Sequence, residues 1–154
     1  MDAYEFSGQI AAATASQGFS ASVTWQQQGR LSELSLRSPL GLGGARVNFD
    51  GANLRVTASD GSKVEGEAAR AQMVQMVGFE PPLSSLRYWL LGVPDPASEA
   101  SETLDEVQRL KSLEQNGWFI DYGEYAASST LPTRMTLHRQ ALKLKLHITR
   151  WRVP

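Results

Sequence analysis

The chain has 154 residues and carries 15 Lys and Arg against 16 Asp and Glu, for a formal net charge of −1. This length predicts a single domain, 1–154, with a sizeable core. The balanced charge argues against a nucleic-acid partner, and the absence of cysteine excludes disulfides and thiolate metal sites. The apolar runs fall far short of the ~20 residues that a transmembrane helix needs. The first residues show no signal-peptide pattern.

Apolar and polar residues alternate over the first sixty positions, which is typical of half-buried strands. The alternation predicts strands over 19–28, 31–37, 45–49 and 53–58. The residues expected on their apolar faces include Phe19, Val23, Trp25, Leu34, Leu36, Val47 and Phe49. Because the connections are short, neighbouring strands are expected to pair antiparallel.

One of these connections contains two leucines. It reads Pro39-Leu40-Gly41-Leu42, followed by two more glycines, and this composition predicts a loop. Loops lie at the surface, so a large apolar side chain here needs a reason. The residues by themselves favour leucines that fold back onto the rim of the sheet.

The middle of the chain changes to a helical pattern. Helix formers predict a helix over 66–77 that ends at Gly78, and a second short helix within 83–92, with Ser84 or Ser85 as its cap. The positions expected on the apolar helix faces include Met73, Met76, Leu86, Trp89 and Leu90.

The last third returns to strands. Trp118 and Ile120 alternate with polar neighbours, and the final strand places Leu142, Leu144 and Leu146 on one face. Strands, two helices and strands again predict a mainly β protein, an antiparallel sheet with helices packed on it. A strongly curved sheet of this kind encloses a space that helices can cover.

Chemistry is hard to assemble from the remaining residues. His138 and His147 could pair with Asp121 or Glu124 as a general base, but a solvated strand face is favoured for them. A solvated face is also favoured for a stripe of basic residues near the end of the chain, which could otherwise bind phosphates. Its members are Lys143, Lys145, Arg150 and Arg152. We therefore predict no catalytic residue, no metal site and no cofactor.

Several segments together resemble the LolB family, the outer-membrane lipoprotein receptors of Gram-negative bacteria. They are VTWQQQG (23–29), LRSPLG (36–41), SSLRYWLLGVP (84–94), QNGWFIDYGEY (115–125) and the ending 131–154, in the family's order. Each motif is modest alone, but the ordered set is specific and covers nearly the whole chain.

This resemblance implies an incomplete antiparallel β-barrel around a hydrophobic cavity, with the insert 66–92 as a helical lid. It implies a receptor that accepts lipoprotein acyl chains from the periplasmic carrier LolA and delivers them to the inner leaflet of the outer membrane. Leu40 matches an exposed leucine that the family needs for delivery, with Pro39, Gly41 and Leu42 beside it. The cavity or its packed floor is expected to be lined by the inward apolar residues: Phe19, Val23, Trp25, Leu34, Leu36, Val47, Phe49, Met73, Met76, Leu86, Trp89, Leu90, Trp118, Ile120, Leu142, Leu144 and Leu146.

One departure concerns the anchor. The family is anchored at the periplasmic face of the outer membrane through an acylated N-terminal cysteine, and this chain has none. The expectation is a soluble form without signal peptide and anchor.

Two functions other than that of a receptor are considered. They are a soluble LolA-like carrier and a barrel that binds another lipophilic ligand.

Overall fold

The computed structural model describes residues 2–38 and 43–154. These residues form eleven strands and two helices. The strands are β1 (Ala3–Ala13), β2 (Gly18–Gln28), β3 (Leu31–Arg37), β4 (Gly44–Phe49), β5 (Leu54–Ala58), β6 (Lys63–Glu65), β7 (Ala100–Leu104), β8 (Leu110–Gln115), β9 (Trp118–Tyr125), β10 (Pro132–Arg139) and β11 (Leu142–Arg152). The helices are α1 (Gly66–Val77) and α2 (Leu83–Trp89).

All the strands belong to one antiparallel sheet, in the order β6-β5-β4-β3-β2-β1-β11-β10-β9-β8-β7. The chain leaves the sheet at one edge, β6, and re-enters it at the other edge, β7. The intervening segment contains both helices, which pack with the sheet in one apolar core. The predicted fold class, an open antiparallel sheet with a helical cover, is therefore confirmed.

Strand register explains why one face of the sheet is apolar. Trp25 pairs with Leu34, Leu34 with Val47, and Val47 with Val56, so one row crosses four strands. All four are buried, and Val47 is fully enclosed. Because side chains alternate between faces along each strand, the residues between them point outward. Apolar area removed from water in this way is the main stabilising contribution.

A β-bulge bends the sheet between β1 and β11. The register shifts between Ser7, which pairs with Arg150, and Gly8, which pairs with Ile148. The extra residue, Thr149, donates its hydroxyl to the Ser7 carbonyl at 3.1 Å. A Cβ atom at Gly8 would lie 2.2 Å from the His147 carbonyl oxygen, so the close approach of the strands requires glycine.

Helix α1 has the bounds that the sequence predicts. Ala69, Met73 and Val77 are spaced four residues apart and form its buried face. Gly78 ends the helix in the left-handed conformation, φ 98°, and its N–H donates to the Val74 carbonyl at 2.8 Å.

The predicted serine cap of the second helix is wrong. Helix α2 starts at Leu83, its N-cap residue is Pro82, and no side chain caps it. Ser85 instead donates its hydroxyl to the Asp95 carboxylate at 2.8 Å. Ser84 and Ser85 are the second and third residues of the helix, past the N-cap position, so neither caps it.

Five strands were not delimited from sequence: β1, β6, β7, β8 and β10. Both faces of β7 are exposed, so it lacks the alternation that marks a half-buried strand. Small residues such as Gly8 and Ala11 weaken the pattern in β1.

Candidate functional site

The two helices and the apolar face of the sheet enclose a chamber, called the inner chamber below. Its sixteen lining residues all have apolar or aromatic side chains. They are Phe6, Ile10, Phe19, Val23, Trp25, Leu34, Leu36, Met73, Val77, Pro81, Leu83, Leu86, Leu90, Leu137, Leu144 and Leu146. The chamber has a volume of about 40 Å³, so the helices lie almost directly on the sheet. A space with such walls favours hydrocarbon over water.

Among the described side chains that line the chamber, only that of Trp25 carries an N–H group. It donates to the Gln27 side-chain oxygen at 2.9 Å, and Ser32 donates to the same oxygen at 2.6 Å. The Gln27 amide in turn donates to the Gly29 carbonyl at 2.9 Å. These bonds keep the polar groups satisfied at the end of the chamber, where an unpaired donor would be costly.

Helix α2 is fixed to the sheet by hydrogen bonds to its own carbonyls. The Tyr4 hydroxyl donates to the Arg87 carbonyl at 2.8 Å, and the Tyr122 hydroxyl donates to the Trp89 carbonyl at 2.7 Å. Burial raises the pKa of both tyrosines above the ordinary value. The two hydroxyls are therefore kept as neutral donors.

The Trp89 side chain adds a third anchor. Its indole N–H donates to the Gln115 side-chain oxygen at 2.8 Å, and the Asp95 backbone N–H donates to the same oxygen at 2.9 Å. Gln115 also donates to the Asp95 carbonyl at 2.7 Å. This buried network ties α2 and the segment after it to β8.

Helix α1 is held differently. Its buried face contacts the chamber and the sheet through apolar side chains. Its ion pairs, Arg70 with Glu67 at 3.1 Å and Arg70 with Glu80 at 3.3 Å, are exposed and stay within the helical segment. No side-chain hydrogen bond joins α1 to the sheet among residues 2–38 and 43–154.

The structure places the predicted cavity residues in three groups. The group lining the inner chamber is Phe19, Val23, Trp25, Leu34, Leu36, Met73, Leu86, Leu90, Leu144 and Leu146. The group buried or partly buried in the core outside the lining is Val47, Met76, Trp89, Trp118, Ile120 and Leu142. Phe49 is partly buried against the same core and also lines a depression with Leu31 and Leu54. The predicted membrane loop, Pro39, Leu40, Gly41 and Leu42, lies outside the described residues.

Sequence reasoning missed six lining residues: Phe6, Ile10, Val77, Pro81, Leu83 and Leu137. Phe6 and Ile10 belong to the undelimited strand β1, and their even spacing was the available signal. Leu137 lies on β10, a strand that was not delimited from sequence, one position before His138 and on the opposite face of the strand.

The catalytic alternative rests on exposed groups. His138 lies 3.8 Å from the Asp121 carboxylate on the outer face, and the two side chains are 44% and 55% exposed. His147 and Asp121 both line a depression on the outer face of β1, β9, β10 and β11, but His138 is not among its lining residues. Among the residues that the structure describes, no three His, Asp or Glu side chains are grouped as metal ligands.

Within 2–38 and 43–154, neither helix has the length and hydrophobicity required to cross a bilayer.

Two solved structures share this fold. A LolA superfamily protein from Nitrosomonas europaea aligns with 99% of this chain and 86% of its own, with a TM-score of 0.60 and 11% identity. A DUF1329 family protein from Desulfovibrio piger aligns with 98% and 85%, with a TM-score of 0.58 and 8% identity. At these identities the likeness concerns the fold alone. It places the chain in the class of LolA-like open sheets covered by helices.

Sequence comparison identifies the family within that class. The model of the family "Outer membrane lipoprotein LolB" matches residues 2–151. The outer-membrane lipoprotein LolB of Pseudomonas paraeruginosa is 32% identical over 153 residues, which cover 98% of this chain and 75% of the relative. That of Azoarcus sp. strain BH72 is 34% identical over 146 residues, with 94% and 75% covered. The chain belongs to the LolB family and spans about three quarters of these relatives' length.

Proposed function

We propose that this protein accepts the acyl chains of lipoproteins from a LolA carrier and inserts the lipoproteins into the outer membrane. The observation that carries the proposal is the inner chamber, whose lining side chains are apolar throughout, in a chain of the LolB family. Transfer changes no covalent bond, so the role requires neither a catalytic residue nor a cofactor. The place of action is the periplasmic face of the outer membrane, to which a lipid anchor would hold the protein.

The energetics of acyl chains require a chamber. At about 0.8 kcal/mol per methylene, exposing a chain of about 15 methylenes costs about 12 kcal/mol. Release through water is then too slow to be useful. The acyl chain must therefore pass from one apolar interior to the next, and finally to the bilayer, along increasing affinity.

The chamber must open to perform this role. Pockets that hold small ligands have volumes of roughly 300–1,000 Å³, whereas the inner chamber has about 40 Å³. Sheet and helices must therefore separate when an acyl chain enters. Since α2 is hydrogen-bonded through Tyr4, Tyr122 and Gln115, α1 is the part of the cover that moves. Glycines with positive φ, Gly66 and Gly78, stand at its two ends.

The test is a two-step transfer. A radiolabelled lipoprotein bound to purified LolA is mixed with this protein, and liposomes are then added. We expect label to pass to the protein and afterwards to the liposomes. A protein that takes no label from LolA would contradict the proposal.

A pair of adjacent variants tests the chamber itself. Val23 lines the chamber, while Thr24 points to the outer face of the same strand. Val23→Phe adds volume inside a space that is already small, so acceptance of label should fall, whereas Thr24→Phe should leave it unchanged. Circular dichroism of both variants checks that they fold. Equal acceptance by two folded variants would place the acyl chain elsewhere.

The alternative role is that of a soluble carrier, which the shared LolA-like fold supports equally. A carrier should retain its cargo when liposomes are added without a receptor. Spontaneous delivery to liposomes therefore separates the two roles. Mass spectrometry of extracted ligands tests the remaining alternative, a different lipophilic ligand.

A further inference from the structure

A second site lies on the outer face of the sheet, where β3 ends, β4 begins and β5 ends. It is a groove of about 510 Å³, called the outer groove below. The described residues that line it include two arginines and four hydroxyl residues, and none of these lining residues is acidic. The lining residues are Ser35, Leu36, Arg37, Ser38, Gly43, Gly44, Ala45, Arg46, Thr57, Ala58 and Ser59.

The two arginines are placed to act together. Arg37 on β3 pairs with Gly44 on β4, and Arg46 lies two residues after Gly44 on β4. The two arginines are therefore diagonal neighbours on one face of the sheet. Such positions are about 7–8 Å apart, which lets two long side chains reach one ligand. Both are exposed, and neither guanidinium lies within 4.0 Å of a carboxylate in the described part of the chain.

Glycine backbone forms part of the groove. A Cβ atom at Gly44 would lie 2.2 Å from the Leu36 carbonyl oxygen, so no side chain can stand opposite Arg37 there. Gly43 has a φ of 124°, which favours glycine. The hydroxyls of Ser38, Thr57 and Ser59 add groups that donate hydrogen bonds. Guanidinium groups and hydroxyls donate hydrogen bonds to phosphate oxygens, and no carboxylate among these lining residues repels the phosphate.

Charge is distributed unevenly along the strands. At the end with the outer groove, Lys63 follows Arg46 in one cross-strand row, with Thr57 between them. One acid at this end, Asp60, accepts hydrogen bonds from the Ser62 hydroxyl and N–H, which lower its pKa. Glu5 and Glu33 lie nearer the other end, on either side of Gln26. Across β3 to β6, the end with the outer groove therefore carries Arg37, Arg46 and Lys63, and these cations suit it to an anionic surface.

We infer that the outer groove binds the phosphate of an anionic phospholipid headgroup. The inference rests on the proposed function, since it concerns the membrane that receives the lipoprotein. The groove adjoins both described ends, Ser38 and Gly43, of the loop that carries Leu40. Headgroup binding there orients this end of the molecule toward the bilayer.

The test is cosedimentation of the protein, without cargo, with phosphatidylcholine vesicles that contain or lack phosphatidylglycerol. Binding should require phosphatidylglycerol. Arg37→Glu and Arg46→Glu should each weaken binding about tenfold or more, since each substitution removes a cation from the anionic surface and adds a repulsive charge. Arg150→Glu makes the same charge change on β11, toward the other end of the sheet, and should weaken binding far less.

Two further arms separate a built site from diffuse attraction. Arg37→Lys keeps the charge but loses the two-pronged geometry, so binding should still fall. Soluble glycerophosphoglycerol should compete more strongly than sodium chloride at equal ionic strength. Equal losses in Arg37→Glu and Arg150→Glu, or equal binding to both vesicle types, would overturn the inference.

The transfer assay distinguishes this inference from the proposed function. Suppose that uptake of label from LolA is normal and that vesicle binding does not depend on phosphatidylglycerol. This result would contradict phospholipid binding by the outer groove but would leave the proposed receptor function standing. If Arg37→Glu abolished uptake from LolA but left vesicle binding intact, the groove would serve an acidic protein partner, and the lipid inference would fail.

Discussion

The Tyr122 hydroxyl on β9 donates a hydrogen bond of 2.7 Å to the main-chain carbonyl of Trp89, the last residue of helix α2. Because the helix ends there, no further helical turn donates to this carbonyl, and its only other donor in the described residues is the Gly92 N–H at 2.9 Å. One phenol group from the sheet therefore both completes the helix end and fixes its height above the inner chamber. The Tyr4 hydroxyl donates to a second carbonyl of α2, that of Arg87, two residues earlier.

Removing this hydroxyl tests how firmly α2 is fixed. Tyr122→Phe removes one of two donors to the Trp89 carbonyl and leaves the Gly92 N–H at 2.9 Å, so the free energy of unfolding should fall by about 0.5–1.5 kcal/mol. Urea denaturation followed by tryptophan fluorescence measures the change. Ser20→Ala is a suitable control, since it removes a hydroxyl at an exposed position on β2. A loss no greater than that of the control would show that Tyr122 does not fix the helix.

The buried tyrosines predict a loss of stability at alkaline pH. Burial raises the pKa of Tyr4 and Tyr122 in the folded state above the unfolded value of about 10. The unfolded chain therefore releases these protons first. The stability they contribute is complete below pH ~10 and is lost as the pH rises from there toward the folded pKa.

Unfolding free energies measured from pH 9 upward would check this, with a slope of up to about 1.4 kcal/mol per pH unit for each tyrosine. Tyr4→Phe and Tyr122→Phe should each flatten the slope relative to the wild type. Because lysines titrate in the same range, the difference between variants carries the test. Identical slopes in all three proteins would contradict it.

Gln115 should be among the costliest polar residues to replace. It is 2% exposed and accepts hydrogen bonds from both the Trp89 indole and the Asp95 backbone. Gln115→Leu would leave two buried donors unpaired, at about 2–4 kcal/mol of unfolding free energy. Gln28→Leu, at an exposed position on β2, should change stability little. Comparable losses in the two variants would mean that the buried network is not a principal anchor of α2.

The loop leucine has a specific expected effect. Inserting one leucine into a bilayer contributes roughly 1.5–3 kcal/mol, so Leu40→Glu should slow delivery to liposomes about tenfold or more while uptake from LolA stays normal. Val107→Glu is the matched control. Val107 is 65% exposed in the turn between β7 and β8, at the opposite end of the strands. Loss of folding or of uptake in Leu40→Glu would instead place this leucine in the core.

The predicted strands show which kind of information periodicity carries. Phe19, Val23 and Trp25 were assigned to one face of a strand, and they do share the chamber wall. Trp118 and Ile120 carried the same signal, yet they are buried in the core and are not among the chamber's lining residues. Alternation specifies which face is apolar, but the partner of that face depends on where the helices lie.

The sequence by itself determined the antiparallel order of neighbouring strands, the bounds of α1 and the family, because these depend on local spacing and on ordered motifs. The tertiary structure decided which helix is anchored, since Tyr4 and Tyr122 lie 83 and 33 residues from their acceptors. It also decided how small the closed chamber is and that Arg37 and Arg46 share one groove. Such contacts arise only when register and helix placement bring distant residues together, and no short-range pattern encodes them.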